Sequence, residues 1–147
     1  MSREALILIG HGAHGATADA YAALREDIRK SYPDTYLLML HGEPSAQSVI
    51  PALKGQEIRE AFLFPLFLSS AYHYSRDISA EDGPVRGAFS EAGIHTELIG
   101  QGLLEAEEIR AALKMYCLSR LLQVHGNSLP AASMNAGLRK TILCSNR

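Results

Sequence analysis

An uninterrupted aliphatic run near the start of the chain constrains its fold more than any other feature. Residues 5–9 read ALILI, and Gly10 follows them directly. A strand with one face in water alternates apolar and polar side chains, whereas a parallel strand that is covered on both faces is apolar throughout. The run therefore predicts a parallel strand that is buried on both faces and ended by a glycine.

The rest of the chain alternates between helical and strand patterns. Apolar side chains three or four residues apart predict an amphipathic helix over 17–32, with Thr17 as its N-cap. Comparable patterns predict strands at 36–40, 61–68 and 94–99, and helices at 45–54, 84–92 and 103–124. Ser45 is expected to cap the second helix and Gly55 to end it. The alternation predicts an α/β fold, a doubly wound four-stranded parallel sheet with helices on both faces.

Length and composition fit one ordinary globular domain. The chain has 147 residues, of which 47% are hydrophobic and 20% charged, and a domain of this size can bury a core without disulfides. We expect residues 1–126 to form this domain. Because sustained periodicity ends after Gly126, we expect residues 127–147 to form a poorly ordered tail.

Charge and cysteine usage exclude several classes of partner. The net charge is -2 and no block of Lys or Arg occurs, so we expect neither nucleic acid nor a membrane surface as a partner. Cys117 and Cys144 show no metal-binding or redox spacing and are expected to be reduced thiols. The apolar run at 5–9 is too short for a secretion signal or a membrane span, and we therefore expect a cytoplasmic protein.

Three histidines follow three of the predicted strands. His11 comes directly after the first strand, His41 directly after the second, and His73 in the loop after the third. Ligands of open parallel sheets bind beyond the carboxyl ends of the strands, so the three side chains should converge. Imidazoles bind Co, Ni, Fe, Cu and Zn, and three of them leave a coordination position open. The alternative for each is a loop histidine that faces solvent.

Small and aromatic residues surround these histidines. Gly10, Gly12 and Gly42 would let the backbone approach a bulky flat ligand closely. The residues expected to cover such a ligand are Ser69, Ser70 and Tyr72.

A carboxylate and the remaining histidines complete the candidates. Asp77 lies four residues after His73 and could orient that imidazole as an outer partner. His14 is interpreted as an exposed loop residue, with contact to substrate carboxylates as the alternative, whereas His95 lies in a strand and His125 near a helix end. A serine nucleophile elbow and a phosphate-binding glycine loop are both missing from the sequence.

Five motifs together resemble a known family. They are LILIGHG at 6–12, ADAYAAL at 18–24, HGEPS at 41–45, FPLFL at 64–68, and His73 followed by RDI at 76–78. In this combination the chain resembles the anaerobic-type sirohydrochlorin cobalt chelatases over residues 5–115, and especially the C-terminal half of the two-half enzymes. The resemblance implies a chelatase fold and insertion of Co(II) into sirohydrochlorin, with release of two protons.

The resemblance also implies roles for individual residues. His11 and His73 match the family's two strand-end histidines, so both would bind the metal and one would accept the pyrrole protons. The family has a carboxylate after the second strand, where this sequence has His41. The resemblance favours Co(II), but because a neutral imidazole replaces a hard anionic ligand at this position, Ni(II) and Fe(II) stay open.

The resemblance further bears on cofactors and assembly. The divalent metal would be a substrate, with the tetrapyrrole as its partner, and no organic cofactor is expected. In length the chain matches the short single-half chelatases, which work as homodimers.

Two other functions compete with this interpretation. A non-catalytic metal or haem carrier could use the same three histidines. A histidine phosphatase also begins with a strand-end His-Gly, but its motif has arginine before the histidine, where this sequence has Gly10.

Overall fold

A parallel sheet organises the first part of the chain. The computed structural model describes residues 3–125, and in this part four strands occur: β1 (Arg3–Gly10), β2 (Thr35–Met39), β3 (Ile58–Pro65) and β4 (His95–Leu98). Their order across the sheet is β2-β1-β3-β4, and every neighbouring pair is parallel. The predicted four-stranded parallel sheet is therefore confirmed.

Helices cover both faces of this sheet. α1 (Ala16–Arg29) packs on one face, where Tyr21 and Ile28 contact Leu8, Leu37 and Met39. α2 (Ala46–Gly55) and α3 (Arg86–Glu91) pack on the other face. The core of that second face includes Ile7, Ile9, Val49, Leu53, Leu63 and Phe89, which are fully or almost fully buried. Successive side chains of the aliphatic run point to opposite faces of the sheet, and each face is covered by a core. Strand β1 therefore carries no polar residue between Ala5 and Ile9.

The chain divides into two compact units, Met1–Glu105 and Ala106–Arg147. The sheet belongs to the first unit, as do a π-helix at Tyr74–Ser79 and a 3-10 turn at Leu103–Glu105. The described part of the second unit contains one long helix, α4 (Glu107–His125). The predicted tail at 127–147 lies outside the described residues. None of the described helices is long and apolar enough to cross a membrane.

Several predicted boundaries differ from the observed ones. α1 begins at Ala16 with Gly15 before it, in the left-handed region at φ 55°, so Thr17 is not its N-cap. Ser45 does precede α2, but its hydroxyl donates to Glu43 and makes no cap bond. α2 includes Gly55, and the left-handed residue that follows the helix is Glu57 at φ 57°.

The third strand lies three residues earlier than predicted. β3 starts at Ile58, which is fully buried, and its pairing with β1 runs from Arg3 and Ile58 to Ile9 and Pro65. The apolar residues Phe67 and Leu68 therefore belong to the loop that follows the strand. Their apolar character extended the predicted strand because periodicity alone does not distinguish a strand from an apolar loop beside a site.

At the amino ends of the strands, one arginine joins three segments. Arg3 donates through Nε and Nη2 to Asp34, at 2.8 and 2.9 Å, and through Nη1 to the side chain of Gln56 at 3.0 Å. Asp34 precedes β2 and Gln56 precedes β3. The ion pair is exposed and therefore worth little by itself, but it ties the start of β1 to the turns before its two neighbours.

Candidate metal centre

Three imidazoles meet beyond the carboxyl ends of β1, β2 and β3. One ring nitrogen from each of His11, His41 and His73 lies within 4.8 Å of the other two. The ring centroid of His11 is 4.7 Å from that of His41 and 5.0 Å from that of His73. His11 and His41 are exposed and His73 is half-buried. The structure thus brings together the three histidines that the sequence predicted to converge.

Backbone contacts hold the first two histidines side by side. The His41 N–H donates to the His11 carbonyl at 2.8 Å, and the Leu40 N–H donates to the Gly10 carbonyl at 3.0 Å. These bonds continue the β1–β2 ladder past the ends of the strands. The relative position of the two imidazoles is therefore set by the register of the sheet rather than by a free loop.

Glycines beside these histidines have specific packing reasons. A Cβ at Gly12 would lie 2.8 Å from the His41 carbonyl oxygen, so only glycine allows the two loops to approach this closely. Gly42 has φ 95°, which L side chains rarely adopt. Gly10 is buried, and its Cβ position faces the Met39 sulfur. Contact of these glycines with a ligand stays a prediction.

The third histidine precedes the π-helix. His73 is the residue before Tyr74–Ser79. π-Helical turns are rare in proteins, and those that occur are often found at functional sites. Nδ1 of His73 lies 2.9 Å from Oδ2 of Asp77, a carboxylate that is 5% exposed. The spacing of four residues places the carboxylate under the imidazole within one wide turn.

Arg76 binds the same carboxylate. Its Nε donates to Oδ1 of Asp77 and its Nη2 to Oδ2 at 2.9 Å. The hydrogen bonds from Arg76, followed by that from His73, lower the pKa of Asp77 to about 2. Asp77 is thus ionised at neutral pH, and its carboxylate offers an acceptor to Nδ1 of His73.

Tyr72 forms the outer side of this group. Its hydroxyl accepts a hydrogen bond from Nη1 of Arg76 at 2.6 Å, and the guanidinium carbon lies 4.4 Å from the centre of its ring. The Tyr72 side chain is 64% exposed, as is Leu68 at 63%. Two large apolar side chains are therefore presented to solvent in the loop between β3 and His73.

The two predicted loop serines have different surroundings. Ser69 is exposed. Ser70 is half-buried, donates to Oε2 of Glu105 at 2.8 Å and accepts from the Gly102 N–H at 2.9 Å. These bonds give Ser70 a structural task, and its contact with a ligand stays a prediction.

A cavity of about 290 Å³ lies beside His41. Its wall is mixed. The polar lining residues are His41, Ser45, Gln47, Arg76 and Asp77, and the apolar ones include Leu38, Leu40, Pro84 and Val85. The cluster of three histidines contains neither His14, which is exposed in the loop after β1, nor His95, which is exposed on β4.

Sequence reasoning missed Arg76 and Glu105 as contributors to this region. Arg76 was visible only as part of a family motif, and its partners Asp77 and Tyr72 lie so near in sequence that charge pairing could have suggested it. Glu105 lies 35 residues after Ser70, and nothing in a single sequence relates residues so far apart.

Three clustered imidazoles at the carboxyl edge of a parallel α/β sheet are a group of ligands that could hold a metal ion. The cobalt chelatase (CbiK) family matches residues 1–123. The chain therefore belongs to the cobalt chelatase family, whose members are metal-chelating enzymes, and the resemblance inferred from its motifs is confirmed at the family level.

Solved structures agree with the fold. The chain is similar to a putative cobalamin (vitamin B12) biosynthesis CbiX protein from Marinobacter aquaeolei VT8, with a TM-score of 0.69 and 21% identity over 82% of this chain and 99% of that one. It is less similar to a phosphate-loop protein studied in solution, with a TM-score of 0.42 and 18% identity over 76% and 86% of the two chains. No curated protein matches the chain significantly.

Proposed function

We propose that this protein inserts a divalent metal ion, Co(II) in the first place, into sirohydrochlorin or a related tetrapyrrole of cobalamin or sirohaem biosynthesis. The observation that carries the proposal is the convergence of His11, His41 and His73 within 4.8 Å in a chain of the cobalt chelatase family. The name of the similar CbiX protein from Marinobacter, which assigns that protein to cobalamin biosynthesis, supports the same pathway.

In this proposal the three imidazoles hold the metal substrate before it is transferred. Imidazole nitrogens bind such ions at about 2.1 Å, so two of them on one ion lie at most about 4.2 Å apart. His11 and His41 are exposed, and in this proposal their rings turn toward the ion to close the observed separation of up to 4.8 Å. Three neutral ligands leave coordination positions for pyrrole nitrogens, so the ion can pass from protein to macrocycle without being released to water.

Removal of the two pyrrole protons is assigned to one of the pair His11 and His73, which accepts them one at a time at the nitrogen that has released the ion and passes them on to water. Each pyrrole nitrogen loses its proton as it binds the ion, and histidine is the side chain that accepts protons near neutral pH. In this role Asp77 fixes the tautomer of His73, because its carboxylate accepts the Nδ1 proton at 2.9 Å and so directs Nε2 to the reacting groups.

The macrocycle is proposed to lie against the loop before His73. Leu68 and Tyr72 are both more than three-fifths exposed there, and Ser69 offers a small polar surface beside them. The glycines after β1 and β2 would admit the edge of a flat ring. Because this surface covers only one side of such a ring, we propose a homodimer in which the partner covers the other side.

An anaerobic metallation assay tests the function. Protein, sirohydrochlorin and Co(II) are mixed, and the absorbance change of the tetrapyrrole is followed against the uncatalysed reaction. We expect acceleration by the unmodified protein and loss of activity by orders of magnitude in His11→Ala and in His73→Ala, both of which alter loop residues outside the core. Repeating the assay with Ni(II) and Fe(II) gives the metal preference.

Two results would contradict the proposal. Normal turnover by either histidine variant would exclude these residues from the reaction. Metal or tetrapyrrole binding without acceleration would instead identify a carrier that uses the same histidines.

A further inference from the structure

The segment that follows β4, residues 100–105, runs beside the loop that leads to His73. The Leu103 N–H donates to the Phe67 carbonyl at 2.7 Å, and the Leu104 N–H donates to the Leu68 carbonyl at 2.9 Å. These bonds extend the β3–β4 pairing beyond both strands. We refer to residues 100–105 as the post-β4 segment and to residues 66–73 as the post-β3 loop.

The two backbones touch at Gly102. A Cβ there would lie 2.5 Å from the Cα of Ser69 and 2.5 Å from the backbone nitrogen of Ser70. Both neighbours are backbone atoms, so no flexible side chain could move aside for a larger residue. Gly102 is also buried, and the contact therefore requires glycine.

Polar groups close the contact around Ser70. Its backbone N–H donates to Oε1 of Glu105 at 3.2 Å, and its hydroxyl donates to Oε2 at 2.8 Å. The Gly102 N–H donates in turn to the Ser70 hydroxyl oxygen at 2.9 Å. The hydrogen bonds from Ser70 lower the pKa of Glu105, so the carboxylate accepts both bonds in its ionised form.

The post-β4 segment contacts the post-β3 loop before His73 and the residue directly after it. Ser70 lies three residues before His73, and Tyr74, directly after it, donates its hydroxyl proton to the Gly100 carbonyl at 2.8 Å. The Phe67 carbonyl accepts the bond from Leu103. The Phe67 ring lies edge-on to the His11 ring, with the two ring centroids 6.5 Å apart. The loop that carries His73 thus takes its position from the post-β4 segment.

We infer that Glu105 is a positioning residue for His73: through Ser70 and the close contact at Gly102, it holds the third metal-binding imidazole within reach of the other two. This inference rests on the proposed function only in assuming that the three histidines bind the metal substrate. It can be measured with Co(II) alone, in the absence of tetrapyrrole.

The variants are Glu105→Gln, which keeps the shape of the side chain but removes its charge, and Ser70→Ala, which removes the hydroxyl that it binds. Glu91→Gln, an exposed carboxylate on α3, is the matched control. Co(II) is titrated into each full-length protein anaerobically, and both the Kd and the visible d–d absorption bands are recorded. Thermal melting checks that each variant is folded.

We expect Glu105→Gln to raise the Kd for Co(II) about tenfold, in the range typical for loss of an outer partner, and to change the d–d bands as one imidazole is lost. Ser70→Ala should shift both in the same direction, and Glu91→Gln should match the unmodified protein.

A second measurement separates positioning from general destabilisation. Combined with His73→Ala, Glu105→Gln should have no further effect on the Kd, whereas combined with His41→Ala it should keep its effect. Unchanged Co(II) binding in both Glu105→Gln and Ser70→Ala would overturn the inference, and so would an undiminished effect in the His73→Ala background. A protein that binds Co(II) as expected but does not accelerate metallation would refute the proposed function while leaving this inference in place.

Discussion

At the scale of single residues, two sequence neighbours set the charge beside the three clustered histidines. Arg76 neutralises Asp77 while leaving one of its oxygens to accept the hydrogen bond from His73. Asp77 is buried and Arg76 is half-exposed, so the pair gives the imidazole a fixed partner without adding net charge. The orientation of His73 then depends on one carboxylate.

Removal of that carboxylate should weaken the metal site. We expect Asp77→Ala to reduce Co(II) affinity about 10- to 100-fold, because His73 loses the acceptor that fixes its tautomer. Asp77→Asn, which keeps one acceptor oxygen, should have a smaller effect. Anaerobic Co(II) titration measures both, with Asp82→Ala, an exposed carboxylate nearby, as the control. Equal affinities for Asp77→Ala and Asp82→Ala would show that the contact has no effect on the metal.

His41 should determine which metal is preferred. An imidazole leaves the bound ion with its full positive charge, whereas a carboxylate would cancel part of that charge and offer a harder oxygen ligand. We expect His41→Glu to change the relative metallation rates with Co(II), Ni(II) and Fe(II), and His41→Ala to weaken metal binding. His14→Glu makes the same charge change at an exposed loop position. If His41→Glu ranks the metals as His14→Glu does, His41 is a bystander.

At the scale of elements, the sequence predicted the regular parts of the sheet well. Strands β1 and β2 and their histidines follow from aliphatic runs that only a doubly covered strand explains. The π-helix at Tyr74–Ser79 could not be predicted, since a turn with hydrogen bonds five residues apart has no periodicity that a single sequence reveals. The contact between Ser70 and Glu105 was equally inaccessible, because it depends on two loops that become neighbours only through the sheet order.

The approach of the β1 and β2 loops should tolerate no side chain at Gly12. In Gly12→Ala the new methyl group would meet the His41 carbonyl oxygen at 2.8 Å, so the two loops must move apart. We expect metallation to fall by about tenfold or more and the free energy of unfolding to fall by about 1–3 kcal/mol. Assays of activity and denaturant unfolding measure the two effects.

Gly55→Ala is the matched control for this substitution. Gly55 ends α2, and outside its own helix and chain neighbours no atom lies within 4 Å of its Cβ position. Alanine should therefore raise the free energy of unfolding by about 0.5–1 kcal/mol and leave metallation unchanged. If Gly12→Ala behaved in the same way, the close approach would not matter for the site.

At the scale of the whole molecule, the proposed homodimer depends on the surface beside His73. Leu68 and Tyr72 present exposed apolar surface beside His73, and a flat ligand bound there would keep one face in water. A second copy of the chain related by a two-fold axis would bring the same surface to that face.

Sedimentation should therefore give twice the 16.0 kDa mass of one chain. Leu68→Asp places a charge on the proposed contact surface and should shift the protein toward the monomer, whereas Leu24→Asp, on a half-exposed position of α1, should not. A monomer in the unmodified protein, with and without tetrapyrrole, would rule out the proposed dimer.

The ion pair and hydrogen bond made by Arg3 lie far from the histidines along the strands. They fasten the amino ends of β1, β2 and β3, while the three imidazoles leave from the opposite ends of the same strands. The contacts of Arg3 and the candidate metal ligands therefore lie at opposite edges of one sheet. We expect substitutions in the turns around Asp34 and Gln56 to change thermal stability by a small amount without changing the positions of His11, His41 and His73.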